Sequence, residues 1–249
     1  MRGLVAPLAM VAVAALSYGV MAVVQVTAAT EQAPTRFVRL QGATEATIQL
    51  KLDAGDLRLA GASMAAGGIV DSSELLRGEL EYEDDQAPEI DYELMDGGRT
   101  GRLVIASPRS SSLWSWSPSE QRWALYVNPA VPTELTVELG TGSAELVLGG
   151  MLLTDLNLAA GSGNVMLDLT GDWRTSLSGK LKIGAGDVTI RAPRDTGIRV
   201  TVEQGFGTVR GSAFTAVDGA YINDAYGSTA SEIDIQIEQG AGYIELSEA

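Results

Sequence analysis

The chain has 249 residues, 45% of them hydrophobic, which is enough to bury a sizeable core and excludes a disordered chain. Its formal net charge of −15 and its 17 scattered Lys and Arg residues argue against a nucleic-acid partner, because phosphate binding needs clustered cations. The sequence holds no Cys and no His, which excludes disulfides, thiolate metal sites and nucleophile systems that depend on either residue. Acid–base catalysis by paired carboxylates stays open, but the sequence does not show two carboxylates that face each other, and we assign no catalytic residue and no cofactor. The abundance of Gly, Val, Ile and Thr favours an all-β fold.

The first element along the chain is an apolar segment. Residues 4–26 carry no charge and form a run of about 23 residues, long enough to cross a hydrocarbon core of roughly 30 Å. Residues 1–29 thus predict one N-terminal membrane helix, either a retained signal anchor or a signal peptide cleaved at the small residues 27–29. Because Arg2 stays in the cytoplasm, we expect an extracytoplasmic domain, membrane-anchored if the segment is retained and secreted if it is cleaved.

A repeat of roughly 21 residues follows a linker at 30–42 and dominates residues 43–249. A Gly-x-Gly element marks five copies at spacings of 21, 23, 21 and 35 residues, and an earlier copy at 48–61 has Asp53 in place of the first glycine. Corners that need a positive φ, or a close approach of backbones, are typical positions for glycine. We interpret all ten glycines as structural corners: Gly140, Gly142, Gly161, Gly163, Gly184, Gly186, Gly205, Gly207, Gly240 and Gly242.

Hydrophobic residues recur in fixed columns on both sides of each corner. Aliphatic residues stand three positions before the first glycine and four and six positions after it, as at Leu181, Val188 and Ile190, and the positions between the later two are mostly polar. Alternation on both sides of a glycine corner predicts two strands with one buried face. The fixed period predicts one coil of a β-solenoid, or β-helix-like domain, whose inward columns stack from coil to coil.

Two regions interrupt the period. Residues 69–133 alternate in short runs separated by turn residues such as Asp96-Gly-Gly, which predicts an inserted antiparallel hairpin sheet. Residues 217–230 add an insertion that is either a loop or a small hairpin, and its Tyr221 and Tyr226 are candidates for a ligand surface. The last coil then runs to Leu246, near the end of the chain, and no cap follows it. An uncapped coil exposes a strand edge, so end-to-end self-association through this coil is a further hypothesis.

Two other stretches are candidate binding surfaces. Clustered carboxylates in the acidic stretch 79–93 suit Ca²⁺, although their alternation with Leu80 and Tyr82 is also typical of the solvated face of a hairpin. The aromatic side chains of Trp114 and Trp116 either stack on sugars or a membrane interface, or fold back on a sheet edge. The calcium candidates are Glu81, Glu83, Asp84 and Asp85.

Three motifs carry a resemblance to a known family: Leu-x-Val-x-Leu-Gly-x-Gly at 135–142, Trp-Ala-Leu-x-Val-Asn-Pro-x-Val-Pro at 123–132, and Gly-Glu-Leu-x-Tyr at 78–82. They resemble the toast-rack domain, a bacterial extracytoplasmic β-solenoid that is similar to the C-terminal region of LiaF-type envelope-stress proteins and to candidate adhesins. LiaF-type proteins carry several membrane helices, whereas this chain has one apolar segment, so the resemblance does not extend to their signalling role.

The resemblance implies a non-catalytic cell-envelope protein that acts as a binding, adhesion or assembly module. It brings no catalytic residues to this chain. The expected ligand is then an envelope protein or a glycan. The membrane is a further partner if the N-terminal segment is retained. The alternative is a polysaccharide-binding or polysaccharide-active β-solenoid that uses the loop of Trp114 and Trp116.

Overall fold

The structure is a computed structural model that describes residues 35–62, 71–83, 86–108 and 121–249. Within these ranges the regular structure is β, apart from one short 3-10 turn at Asp96–Gly98. The membrane helix predicted at 1–29 lies outside the described residues, and so does most of the linker predicted at 30–42. Among the described residues, the model contains no helix of the length and apolar character that a membrane crossing requires.

The strands vary from three to seventeen residues in length. In chain order they are β1 (Thr35–Arg39), β2 (Glu45–Gly61), β3 (Glu74–Glu81), β4 (Glu89–Met95), β5 (Thr100–Ala106), β6 (Gln121–Val127), β7 (Thr133–Thr141), β8 (Ala144–Val147), β9 (Leu153–Ser162), β10 (Val165–Asp168), β11 (Leu177–Ala185), β12 (Val188–Ala192), β13 (Gly197–Arg210), β14 (Thr215–Val217), β15 (Ala220–Ile222) and β16 (Glu232–Glu248).

All these strands belong to one sheet that is folded along the glycine corners. We call the side before the corner the first arm and the side after it the second arm. The long strands β2, β13 and β16 run through the corner and contribute to both arms. The first arm has the order β4, β5, β2, β7, β9, β11, β16, β13, β15, β14, and the second arm has the order β1, β3, β6, β2, β8, β10, β12, β16, β13.

The stacked coils pair in parallel, with equivalent repeat positions side by side. In the first arm Leu181 lies beside Leu158 on one neighbour and Ile237 on the other, and in the second arm Ile190 lies beside Leu167 and Leu246. All six side chains are buried in one hydrophobic core. Each buried aliphatic side chain contributes about 1.5–3 kcal/mol, so this column stacking is the main source of stability. The prediction of an all-β, solenoid-like fold is therefore confirmed.

The region 69–133 differs from the antiparallel sheet that its alternation predicted. Strands β5 and β6 pair in parallel with β2, one in each arm, and so add a further coil on that side. Within the region, β4 pairs with β5 in the antiparallel sense through the expected Asp96-Gly-Gly turn, β3 pairs with β6 in the same sense, and β1 adds to β3. Period-two alternation identifies a half-buried strand but does not distinguish parallel from antiparallel neighbours. The antiparallel pairs within the region are therefore as predicted, and the parallel pairing of β5 and β6 with β2 is not.

The last strand of the chain is internal, so the expectation of an open C-terminal coil is wrong. Strand β16 lies between β11 and β13 in the first arm and between β12 and β13 in the second. Leu246, near the end of β16, is only 2% exposed. The coil at this end of the stack is instead β13, which precedes β16 in sequence. The additional residues between β13 and β16 give the chain enough length to place one coil further out and return.

The hairpin of β14 and β15 caps the first arm of this outer coil. Strand β15 pairs with β13 from Arg199 to Thr201, and β14 pairs with β15. Asn223 follows directly and is 2% exposed. Its Nδ2 donates to the carbonyl oxygens of Pro193 and Thr196, and its Oδ1 accepts from the backbone N–H of Ile198. The insertion predicted at 217–230 as a loop or small hairpin thus contains half of a capping hairpin and the turn that anchors it.

Candidate functional site

The glycines of the repeat lie in two columns that follow the corner from coil to coil. A Cβ atom built on Gly163 would lie 1.7 Å from the backbone oxygen of Gly142, and φ of Gly163 is +128°. At the first glycine of the element, a Cβ on Gly184 would lie 2.3 Å from the oxygen of Gly161. No other residue fits such an approach without moving the backbone. The corner is therefore closely packed and carries no side chains over most of its outer surface.

A groove of about 990 Å³ follows this bare corner on the outside of the sheet. It crosses six adjacent strands, β2, β7, β9, β11, β16 and β13, which at about 4.8 Å per strand makes it about 24 Å long. The first glycines of the corner line it, with Asp53 in their place on β2. The preceding outward position of every strand but β9 adds a charged side chain. The groove therefore exists because glycine is required at the corner.

Charges of both signs line the groove as paired side chains. Lys51 Nζ lies 3.3 Å from Glu138 Oε1, and Lys180 and Lys182 lie 2.7 and 3.1 Å from the two carboxylate oxygens of Glu238. Hydrogen bonds from these two lysines hold the pKa of Glu238 below its usual value. Ala159, exposed between the two paired groups, leaves the middle of the groove open. The arrangement suits an extended ligand that carries polar groups.

A second cleft, of about 710 Å³, lies on the outside of the second arm. Arg58 pairs with Glu145 at 3.6 Å, and Arg122 pairs with Glu81 at 3.6 Å. These pairs join neighbouring strands and lie at the solvated surface, so each contributes little to stability.

The acidic residues predicted to bind calcium are placed only in part. Glu81 pairs with Arg122 across to β6, and Glu83 is exposed just beyond the end of β3. Asp84 and Asp85 lie outside the described residues. In the part of the chain that the structure describes, no group of three or more acidic side chains is placed to hold a metal ion. Calcium binding by this stretch stays a prediction.

Of the four aromatic candidates, the structure describes the two tyrosines, and these do not converge on either cleft. Trp114 and Trp116 lie outside the described residues. Tyr221 is half-buried in β15 and packs against the hydrophobic core, and Tyr226 is half-buried in the turn that follows. Neither tyrosine lines the corner groove or the cleft on the second arm. Their position makes them part of the cap over β13.

One polar column of the corner escaped sequence reasoning. Asp56 Oδ1 accepts from the backbone N–H of Ser143 at 3.2 Å, Asn164 Oδ1 from that of Asp187 at 3.1 Å, and Asp187 Oδ1 from that of Tyr243 at 3.0 Å. Each side chain thus links its coil to the next one at the corner. The available signal was the recurrence of Asp, Ser or Asn three positions after the first glycine of a repeat.

Comparison with known proteins decides the family. Residues 27–191 match the model described as the N-terminal domain of toast_rack, DUF2154. The chain belongs to the toast-rack family. No protein of curated function matches it significantly.

Two solved structures extend the comparison of toast-rack folds. The crystal structure of a candidate cell adhesion protein from Clostridium sporogenes has 28% sequence identity and a TM-score of 0.77, over 87% of this chain and 98% of that one. A candidate adhesin from Bacteroides fragilis matches over 87% of this chain and 98% of that one, with 12% identity and a TM-score of 0.29. At that TM-score the second likeness carries no weight, whereas the first covers the whole solenoid described above.

Proposed function

We propose that this toast-rack chain is a non-catalytic adhesion module of the bacterial cell envelope, and that it binds an extended segment of a partner protein in the corner groove. The shape of the groove carries the proposal: it is about 24 Å long and is floored by glycine. An extended polypeptide spans roughly 3.3 Å per residue, so about seven residues fit. Repeat proteins typically use such long, rigid surfaces for binding.

The lining of the groove favours a polypeptide over a glycan. Lysine and glutamate side chains of both signs line it and complement charged side chains of either sign on a ligand. In strand order they are Lys51, Glu138, Lys182, Glu238 and Glu203. Glycans stack on aromatic rings, and the residues that line this groove include none. The role in adhesion is supported by the candidate cell adhesion protein from Clostridium sporogenes, and export is supported by the apolar segment at 4–26.

Filling the groove tests the proposal. Ala159→Trp places a bulky side chain at the exposed midpoint of the groove, where it displaces no core atom, so the melting temperature is expected to stay within a few degrees of wild type. Full-length protein reconstituted into liposomes is then measured for retention on immobilised bacterial and host cells. We expect retention by wild type and its loss in Ala159→Trp.

The matched control is Ser212→Trp, which adds the same side chain at an exposed position of the capped end, outside the groove. It is expected to be retained like wild type. Protease treatment of the target cells is expected to abolish retention, and periodate oxidation of their glycans is expected to leave it unchanged. If the two tryptophan variants are retained equally, the ligand does not bind in the corner groove. If periodate abolishes retention and protease does not, the ligand is not a polypeptide.

A further inference from the structure

The end of the stack opposite the cap leaves two strand edges unpaired. In the first arm this end is β4, which pairs only with β5, and in the second arm it is β1, which pairs only with β3, among the described residues. Each outer edge therefore presents a row of backbone N–H and C=O groups to solvent. Open edges of this kind are sites where another strand adds to a sheet.

The two edges carry opposite charges. Glu89, Asp91 and Glu93 are exposed on β4, and Arg36 and Arg39 are exposed on β1. Glu93 is ion-paired with Arg102 of β5 at 2.8 Å, so Glu89 and Asp91 supply the acidic charge of this edge. Two β4 edges would repel each other, and so would two β1 edges, because like charges on adjacent strands destabilise their pairing. A β4 edge and a β1 edge attract. The charges thus select a partner that brings the opposite edge.

Exposed apolar side chains accompany these charges. On β4, Ile90 and Leu94 are 40% and 42% exposed, on the same face as Tyr92, which packs against the core. On β1, Phe37 is 54% exposed, with the guanidinium of Arg39 5.7 Å from its ring centre. Because Val38 packs against the core, it lies on the inner face of β1, and Phe37 and Arg39 lie on the outer face. Pairing of the two edges would place Val38 beside Ile90 and Leu94 and would place Arg39 on the face of Glu89 and Asp91, which gives the contact a hydrophobic and a charged component.

The two arms also end at different heights. Beyond β2 the first arm has two further strands, β5 and β4, whereas the second arm has three, β6, β3 and β1. Consider two copies stacked end to end and related by a two-fold axis that is perpendicular to the stack and exchanges the two arms. In this arrangement β4 of each copy lies against β1 of the other. The arm that is one strand longer in one copy then meets the arm that is one strand shorter in its partner, so the two β4–β1 contacts form together. An interface of this kind closes with two copies.

We propose that the chain forms a two-fold dimer through reciprocal pairing of β4 with β1 of a second copy. The dimer is independent of what the corner groove binds, since the groove runs along the outside of the corner in both copies. It joins two solenoids at their uncapped ends and leaves the hairpin caps at the outer ends. This assembly uses the end of the stack opposite the C-terminal coil that the sequence suggested.

Charge reversal tests the dimer on the full chain, kept in solution by a non-ionic detergent and measured by sedimentation equilibrium. Wild type is expected to have the protein mass of a dimer. The double variant Arg36→Glu with Arg39→Glu makes both edges acidic, and Glu89→Lys with Asp91→Lys makes both basic. Each variant alone is expected to raise the dimer dissociation constant at least about tenfold, because like charges then face each other in both contacts.

Mixing the two variants is the decisive step. In a mixed dimer every acidic edge meets a basic one, so an equimolar mixture is expected to recover the dimer mass that neither variant shows alone. A matched reversal at the capped end, Arg199→Glu with Arg210→Glu, is expected to leave the wild-type dimer unchanged. A monomeric wild type, association that the reversals do not weaken, or a mixture that stays monomeric would each overturn the proposal.

Discussion

At the scale of single residues, the glycine of the corner is the position on which the fold depends most. Gly163 and Gly150 both have a positive φ, +128° and +74°, but they differ in what surrounds them. A Cβ on Gly163 would lie 1.7 Å from the oxygen of Gly142, whereas a Cβ on Gly150 would have nothing within 4 Å. Comparing the two positions therefore separates the cost of backbone strain alone from the cost of strain combined with a steric clash.

We expect Gly163→Ala to destabilise the protein by more than about 3 kcal/mol, because the backbones of two coils must move apart at the corner. Gly150→Ala is expected to cost only about 1 kcal/mol, which is the strain of a left-handed conformation. Urea unfolding of both variants measures the difference. Equal losses would show that the two coils do not approach closely at Gly163.

At the scale of elements, the cap depends on one buried asparagine. Asn223 joins the turn after β15 to the start of β13 through three hydrogen bonds, to the backbone of Pro193, Thr196 and Ile198. Asn223→Ala leaves buried backbone groups without partners and is expected to cost about 2 kcal/mol or more. Among the backbone amides, that of Ile198 is expected to show the largest increase in hydrogen-exchange rate. Asp224→Ala, at the exposed neighbouring position, is expected to change neither the free energy of unfolding nor the exchange rate at Ile198.

The repeat elements were predictable from the sequence because each one obeys the same local rules. Inward positions such as Leu181 and Ile190 are aliphatic in every internal coil, and glycine marks each corner, so strands and buried faces follow from the pattern. The pairing of β5 and β6 with β2 was not predictable, since alternation does not report the direction of a neighbour. The corner groove was not predictable either, because it depends on how the backbone bends at the glycines.

At the scale of the whole molecule, the order of the coils differs from their order in sequence. A chain that adds coils in sequence would place β13 directly against β11, with β16 at the open end. The structure places β16 between them, so the capped outer coil is β13. The extra residues between β13 and β16 show in the sequence as a break in the period. They do not indicate whether β16 pairs with β13 on its inner or its outer edge.

The strand order is the central claim, because it determines which end of the stack is capped, which end is open, and which strands the corner groove crosses. Paired cysteines test it directly in a chain that has none of its own. Ser178 lies beside Asp234, and Asp234 lies beside Arg199, so Ser178 and Arg199 are two strand spacings apart, about 9.6 Å. A disulfide requires Cα atoms within about 7 Å.

The measurement compares disulfide formation, under mild oxidation, in two double variants of the folded protein. Ser178→Cys with Asp234→Cys is expected to form an intramolecular disulfide, and Ser178→Cys with Arg199→Cys is expected to stay reduced. A disulfide in the second variant and none in the first would show that β13 lies directly against β11, and would contradict the internal position of the last strand.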